Sequence, residues 1–427
     1  MELLIRGGEI IDPANRHHKE KLDILIADGK IIKIGHIPSY TNAMVISADG
    51  YIVVPGLIDM HVHLREPGQE YKETIKTGAL SAAKGGFTSI VAMANTDPVA
   101  DSPEVIRSVI DRAKRDSVVN VFPVGSVTMG MEGHKLTDIG GLVASGAVAI
   151  SDDGKPIRDP EVMRSALRYS KEFGIPVISH CEISDNNWVM NEGSVSARLG
   201  VIGISNSAEE LMVQRDISLA EETGGHLHIA HVSTKGSVQL IRQAKKKGIK
   251  VSAEVTPHHF TLTDSAVEIY SANAKMNPPL RSQEDVDSII SGLADGTIDV
   301  IATDHAPHSS EEKSLGLLKA PFGIVGLETC LPLVITQLVN KGHLSLYSAI
   351  AKMTLNPALI LNLNKGSLTE GSSADITIID LNRSQVVSAS KFESKGRNTP
   401  FNGWRLNGWA VITIVNGKVV YESSSCT

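Results

Sequence analysis

Short strand-like runs broken by turn residues fill residues 1–55: LLIRGGEIID, KLDILIADGKIIKIG and VISADGYIVVPG, with Asp28-Gly29 and Asp49-Gly50 as hairpin signals. The same texture returns from about Lys365 in DITIIDL and WAVITIVNGKVVYE, where Asn416-Gly417 is a strong hairpin turn. Two β-rich ends around a different middle predict one small β-sandwich assembled from both termini, residues 1–55 and 365–427.

Between the ends the pattern becomes short apolar runs separated by helix-length segments such as EYKETIKTGALSAAKGG and SAEELMVQRDISLAEETGG, which is βα alternation. The strand candidates are GLIDMHVH, FTSIVAMANT, VNVFPVGSV, GAVAISDDG, PVISHCE, HLHIAHVST, KVSAEVTPHH and VIATDHAPH. They number eight, as a (β/α)8 TIM-type barrel requires, and place an α/β catalytic unit over residues 56–364. An open doubly wound sheet also alternates, but it needs no particular count and usually carries a Gly-rich loop after its first strand. Here that strand ends in His-Val-His.

Composition narrows the class without choosing the fold. The 427 residues, 42% hydrophobic and 21% charged, are those of an ordinary globular protein, and a barrel with an appendage fits that length as well as two or three domains do. A net charge of −7, with basic residues scattered apart from Lys245-Lys246-Lys247 at the end of a solvated helix, argues against nucleic acid. No stretch approaches the ~18 apolar residues of a membrane span and MELLIRGGEI is not a signal segment, so a cytoplasmic location is expected. Cys181, Cys330 and Cys426 show no CxxC spacing, so any metal must be held by histidines and carboxylates.

Those residue types cluster at the C-terminal ends of the predicted strands, the face where barrel enzymes carry their active sites. Strand one ends with His61 and His63, strand four with Asp152 and Asp153, strand five with His180, strand six with His231 and strand eight with Asp304. Residues two apart on a strand point the same way, so His61 and His63 can share one cation. Alone, an HxH pair is more often two half-buried histidines; four further candidate ligands at other strand ends reverse that balance. His180 and His231 could each be a core histidine, as could His226 and His228, and His231 is favoured by its place at the strand end. Asp304 could merely hold the turn before His-Ala-Pro, but it also suits a proton acceptor beside a metal site. A zinc-like ion in such a cage acidifies water and polarises an amide carbonyl, and a single carboxylate can then act as base and afterwards as acid.

DMHVHLREPG, MANTDP, SDDG, SHCE, HVST, NPPLR and ATDHAPH, in this order from about Pro55 to Ser367, resemble the bacterial class I dihydroorotases of the amidohydrolase superfamily. The resemblance implies zinc-dependent, reversible cyclisation of N-carbamoyl-L-aspartate to L-dihydroorotate in pyrimidine (UMP) synthesis. It implies His61, His63, Asp153, His180, His231 and Asp304 as ligands of one or two Zn2+, with Asp304 also the catalytic base. Relatives that bridge two metals use a carbamylated lysine on strand four. Asp153 stands there instead, and Lys155, in the turn-like GKPIRDP, is expected at the surface. Arg65, two residues beyond His63, is the natural partner of the substrate's ring carboxylate. The resemblance adds Asn95, Asn277, His308, Phe322 and Gly323 to substrate binding and gives His258 and His259 no metal role. It also implies a homodimer and leaves open an association with aspartate transcarbamoylase.

His305 to Gly323 is long, polar and poor in helix or strand signals, and reads as a lid that brings flexible backbone to the substrate. The alternatives are another cyclic amidohydrolase, such as a hydantoinase or allantoinase, or a non-catalytic scaffold for aspartate transcarbamoylase. Arg65 and Asp153 weigh against the first, and the full ligand set weighs against the second.

Overall fold

A computed structural model describes residues 2–38, 43–183 and 188–423; Cys426 lies outside them. Both chain ends contribute to one sheet, whose path runs Lys418–Glu422, Arg405–Val415, Ile376–Val386, Ile52–Pro55, Glu2–Asp12, His17–Ala27 and Lys30–Gly35. The seam between the ends is antiparallel, from Ile376 opposite Pro55 to Ile379 opposite Ile52. Leu3, Ile5, Ile10, Ile24, Val53, Ile376 and Ile412 share an apolar cluster beneath it. Each such side chain contributes roughly 1.5–3 kcal/mol on burial, which is what holds two segments so distant in sequence together.

Asp28-Gly29 and Asn416-Gly417 form the expected hairpin turns, all four residues having positive φ (49° and 78°, 49° and 73°). Asp49-Gly50 does not. Met44–Ser47 and Ile52–Pro55 both pair parallel to Glu2–Asp12, one beyond the other, with Leu3 opposite Met44 and Glu9 opposite Ile52. Gly50 (φ 80°) supplies the local turn, but the strands on either side keep the same direction. A two-residue turn signal sets local backbone and not the partner of its flanks.

Each of the eight middle runs contains a strand: Leu57–Val62, Phe87–Ala92, Asn120–Pro123, Ile150–Ser151, Val177–Ser179, Leu227–Ile229, Val251–Val255 and Val300–Ile301. Their pairings are parallel, and parallel bridges Gly125–Ile150 and Val62–His305 link the groups so that the pairings return to the first strand. The two side-chain parities separate. Val177, Ile229, Val255 and Ile301 join the large cluster that also holds helix residues, whereas Met60, Val91, Val124, Ile178, Ala230 and Ala302 form another.

The connecting helices have the ends their sequences dictate. Ile75–Gly85 starts on a Thr74–Thr77 capping box and stops at Gly86 (φ 90°); Asn206–Thr223 is capped by Ser205 and ends at Gly224 (φ 66°). Lys235–Lys246 ends in the lysine run as expected. Among the described residues, no helix is long and apolar enough to cross a membrane.

The reading of 305–323 as a loose lid needs correction. Short helices cover Ser310–Ser314, with a Ser309–Glu312 capping box, and Gly316–Lys319. Buried Lys313 donates to the carbonyls of Ala272 and Pro321 at 2.8 and 2.9 Å. The polar composition that resembled a loop instead supplies caps and anchors.

Candidate active site

Five strand ends bring His61, His63, Asp153, His180, His231 and Asp304 into one buried cluster. Asp153 lies at its centre. Its Oδ2 is 3.3 Å from His61 Nε2 and 3.4 Å from His63 Nε2, and its Oδ1 is 3.3 Å from His231 Nε2 and 3.6 Å from His180 Nδ1. Asp304 Oδ1 approaches His63 Nε2 at 2.9 Å and His61 Nε2 at 3.5 Å. Two overlapping three-residue groups, His61/His63/Asp304 and His61/Asp153/His231, have ligand atoms within 4.8 Å of one another.

Partners outside this cluster orient three of its rings. His61 Nδ1 donates to Glu254 Oε1 at 2.5 Å, His63 Nδ1 to Asn95 Oδ1 at 2.9 Å, and His180 Nε2 lies 3.4 Å from Glu182 Oε2. Each assignment leaves the other ring nitrogen as a lone pair facing the cluster. That arrangement is repulsive as it stands. Among the described residues the buried His61 Nε2 has no hydrogen-bond partner; it faces two carboxylates, and His180 Nδ1 sits 2.9 Å from His231 Nε2. Lone pairs and carboxylates converging on one point fit a cation.

The carboxylates favour positive charge at this point, whether carried by a proton on an imidazole or by a metal ion. Burial opposes charge on His61, yet Asp153, Glu254 and Asp304 hold its pKa well above the usual histidine value; in the same balance Asp153 and Glu182 raise His180 to about 10. Burial likewise opposes ionisation of Asp153 and Asp304, but the surrounding histidines depress both.

Backbone conformation aims these groups. Arg65 (φ 59°), His231 (φ 33°) and Asp304 (φ 45°) are all left-handed, a cost of about 1–3 kcal/mol each that the surroundings must offset. Asp59 Oδ1 takes the N–H groups of His61 and Thr303 at 3.1 Å, and His63 N–H donates to His305 O at 2.9 Å, tying the first strand to the Asp304 turn.

Arg65 is 8% exposed. Its Nε donates to Pro307 O at 3.3 Å and its Nη2 lies 3.4 Å from His308 Nε2, which is 2.8 Å from Phe322 O. Among the described residues, no carboxylate lies within ion-pair distance of this guanidinium. Asn277 donates to Glu182 Oε2 at 2.7 Å, and its buried Oδ1 has no partner among the described residues. Asn95, expected to face substrate, is in contact with His63. Gly323 (φ 148°) has no space for a side chain, since a Cβ would lie 2.6 Å from Ala306 O and 2.8 Å from His308 Cδ2.

Other candidates separate from the cluster. Asp152 accepts from Val127 and Thr128 N–H, and Lys155 is exposed. His226 and His228 both hydrogen-bond Ser252, and His259 bonds Thr256 and Pro278 O. Cys181 and Cys330 are buried free thiols. Glu254 and Glu182 were missed in the sequence, although each left a signal: a charge inside the apolar run VSAEV, and a position two beyond His180.

An amidohydrolase family model matches residues 52–420. The chain is 52% identical over 420 residues to a dihydroorotase of Acetivibrio thermocellus, covering 98% of each, and 55% identical over 426 residues to one of Pelotomaculum thermopropionicum, covering 99% of each. Among solved structures it resembles the L-hydantoinase (dihydropyrimidinase) of Arthrobacter aurescens, with a TM-score of 0.89 and 27% identity over 98% of this chain and 96% of that one. The dihydropyrimidinase of Brevibacillus agri is similar at TM-score 0.87 and 25% identity, covering 99% and 95%.

Proposed function

The chain belongs to the amidohydrolase family and, within it, to the dihydroorotases, and on that premise we propose that it interconverts N-carbamoyl-L-aspartate and L-dihydroorotate in pyrimidine synthesis. The observation that carries the substrate is Arg65, a buried guanidinium beside the histidine cluster that has no carboxylate partner among the described residues. A ring bearing a free carboxylate supplies the missing counter-charge; an uncharged hydantoin does not.

In this reading the eight parallel strands are a (β/α)8 barrel of residues 56–364, and residues 1–55 and 365–427 form the second domain. His61, His63, Asp153, His180, His231 and Asp304 would hold one or two zinc ions, and both oxygens of the Asp153 carboxylate face imidazole nitrogens of this set. Bound zinc supplies Lewis acidity to the ring carbonyl and acidifies water. Asp304 takes a proton from the water whose oxygen bonds to the ring carbonyl carbon, and returns it to the nitrogen as the C–N bond breaks. Arg65, His308 and the backbone of Phe322 and Gly323 hold the carboxylate end, and Asn95 and Asn277 complete the pocket.

The solved hydantoinases share the fold at 25–27% identity, whereas the dihydroorotases reach 52–55% over nearly the whole chain. The test is ring opening of dihydroorotate, hydantoin and allantoin on one preparation with its metal content measured. Dihydroorotate should be preferred by orders of magnitude; preference for hydantoin overturns the assignment. A cytoplasmic homodimer belongs to the same proposal, and sizing the enzyme alone and with aspartate transcarbamoylase tests the assembly.

A further inference from the structure

Between Ile376–Val386 and Arg405–Val415 the chain leaves the terminal sheet and reaches the segment that follows Asp304. Ser394 Oγ donates to Glu73, as does the Lys395 N–H at 3.1 Å, and Gly396 packs so closely that a Cβ would lie 2.7 Å from side-chain atoms of Pro307 and Val325. Two residues on is Asn398, 2% exposed. Its Nδ2 donates to Ala306 O at 2.9 Å and Gly323 O at 3.0 Å, its Oδ1 accepts the His308 N–H at 3.1 Å, and its backbone carbonyl accepts the Val325 N–H at 3.0 Å.

One side chain therefore fastens both flanks of the 306–323 segment, the outgoing side at Ala306 and His308 and the returning side at Gly323. We infer that Asn398 is a positioning residue for substrate binding: it sets the spacing of His308 and the Phe322–Gly323 backbone around Arg65, and so the fit of the pocket to the ring carboxylate. The inference rests on the substrate reading above. Lys313 anchors the outer arc of the same segment and Ala306 N–H pairs with Ile324 O at 3.0 Å, so the fold of the segment has other supports. The Asn398 amide adds the link from the His308 backbone to that of Gly323. Misplacing such groups by an ångström costs up to about 100-fold, and here the loss falls on binding because none of them belongs to the histidine cluster.

Asn398→Asp keeps the shape and the acceptor for His308 N–H but turns the donor toward two carbonyls into a second acceptor; Asn398→Ala removes all three bonds. Both are assayed in the metal-loaded enzyme, alone and combined with His308→Ala, for kcat, KM for dihydroorotate and metal per chain. The expected result is a KM raised about tenfold or more, kcat within about threefold of wild type, unchanged metal, and a much smaller further KM effect once His308 is already Ala. Equal factors in both backgrounds, joint loss of kcat and metal, or failure of both variants to fold would each overturn the inference by making Asn398 a residue of the fold alone. If His308→Ala by itself leaves KM unchanged, His308 has no part in binding and the positioning role fails, whereas the substrate reading fails separately, on a preference for hydantoin over dihydroorotate.

Discussion

Arg65→Met separates the substrate assignment from the fold, because it removes a buried cation that stands beside the histidine cluster without entering it. Burial lowers the Arg65 pKa, opposed by Asp304, Glu312 and Asp153, and a guanidinium so placed stays charged at neutral pH. A charge-assisted hydrogen bond contributes about 1.5–3 kcal/mol, so losing a bidentate pair to the ring carboxylate costs dihydroorotate about 3–4 kcal/mol, or roughly 100- to 1,000-fold in kcat/KM. The same substitution breaks the Arg65 Nε bond to Pro307 O, worth about 1 kcal/mol, a loss that any substrate shares. An uncharged cyclic imide should therefore lose only about five- to tenfold. Arg65→Lys, which keeps charge but not the planar fork, should fall between wild type and Met. Initial rates of ring opening followed by absorbance, with metal per chain measured on each variant, give the comparison. Equal losses for the charged and uncharged rings, or a Lys variant as poor as Met, would refute the carboxylate grip.

Asp304→Asn should keep its metal and lose several orders of magnitude in kcat; restoration to near wild-type rates by excess zinc would make Asp304 a ligand only. Asp153→Ala, which removes the carboxylate between four imidazoles, should strip metal measured by elemental analysis, whereas the exposed Lys155→Ala should match wild type; a dead Lys155 variant with the mass of a carbamate would reverse the assignment. Lys352 is buried with Nζ 2.5 Å from Ile298 O, and burial lowers its pKa to about 8 from an unfolded value of 10.5. The folded state then holds fewer protons than the unfolded one between pH 8 and 10.5, so stability rises with pH through that window and the full penalty, about 3 kcal/mol, applies below it. Lys352→Met should raise the unfolding midpoint at pH 7, offset by about 1 kcal/mol for the lost hydrogen bond, and the gain should shrink toward pH 10.5.

The gathering of the candidate ligands at one place was legible because strand periodicity is local. A run such as GLIDMHVH declares both its strand and which residues share a face, and repeating that pattern at strand after strand brings polar ends together with no knowledge of their distances. What the period cannot encode is conformation forced from outside. Arg65, His231 and Asp304 take left-handed φ because neighbouring segments hold them there, Asp59 gripping the Thr303 turn and His305 O taking the His63 N–H. The parallel pairing around Asp49-Gly50 and the packed helices at 310–319 escaped notice for the related reason that turn and polar signals describe neighbours in sequence.

The histidine tautomers carry this argument to the chemistry. An HxH motif says that two imidazoles can meet a cation, but it does not say which nitrogen each presents. That choice depends on Glu254, 193 positions from His61, and on Asn95, 32 positions from His63. With Nδ1 committed outward in both rings, Nε2 of each faces the two aspartates, the arrangement that the proposed cation site needs. Glu254 sits fully buried on the strand Val251–Val255, whose other polar residue is the uncharged Ser252, and is also 3.3 Å from His228, so among the described residues its charge is offset by the histidines it orients. The residue least compatible with the core is thus the one that commits His61 to the site.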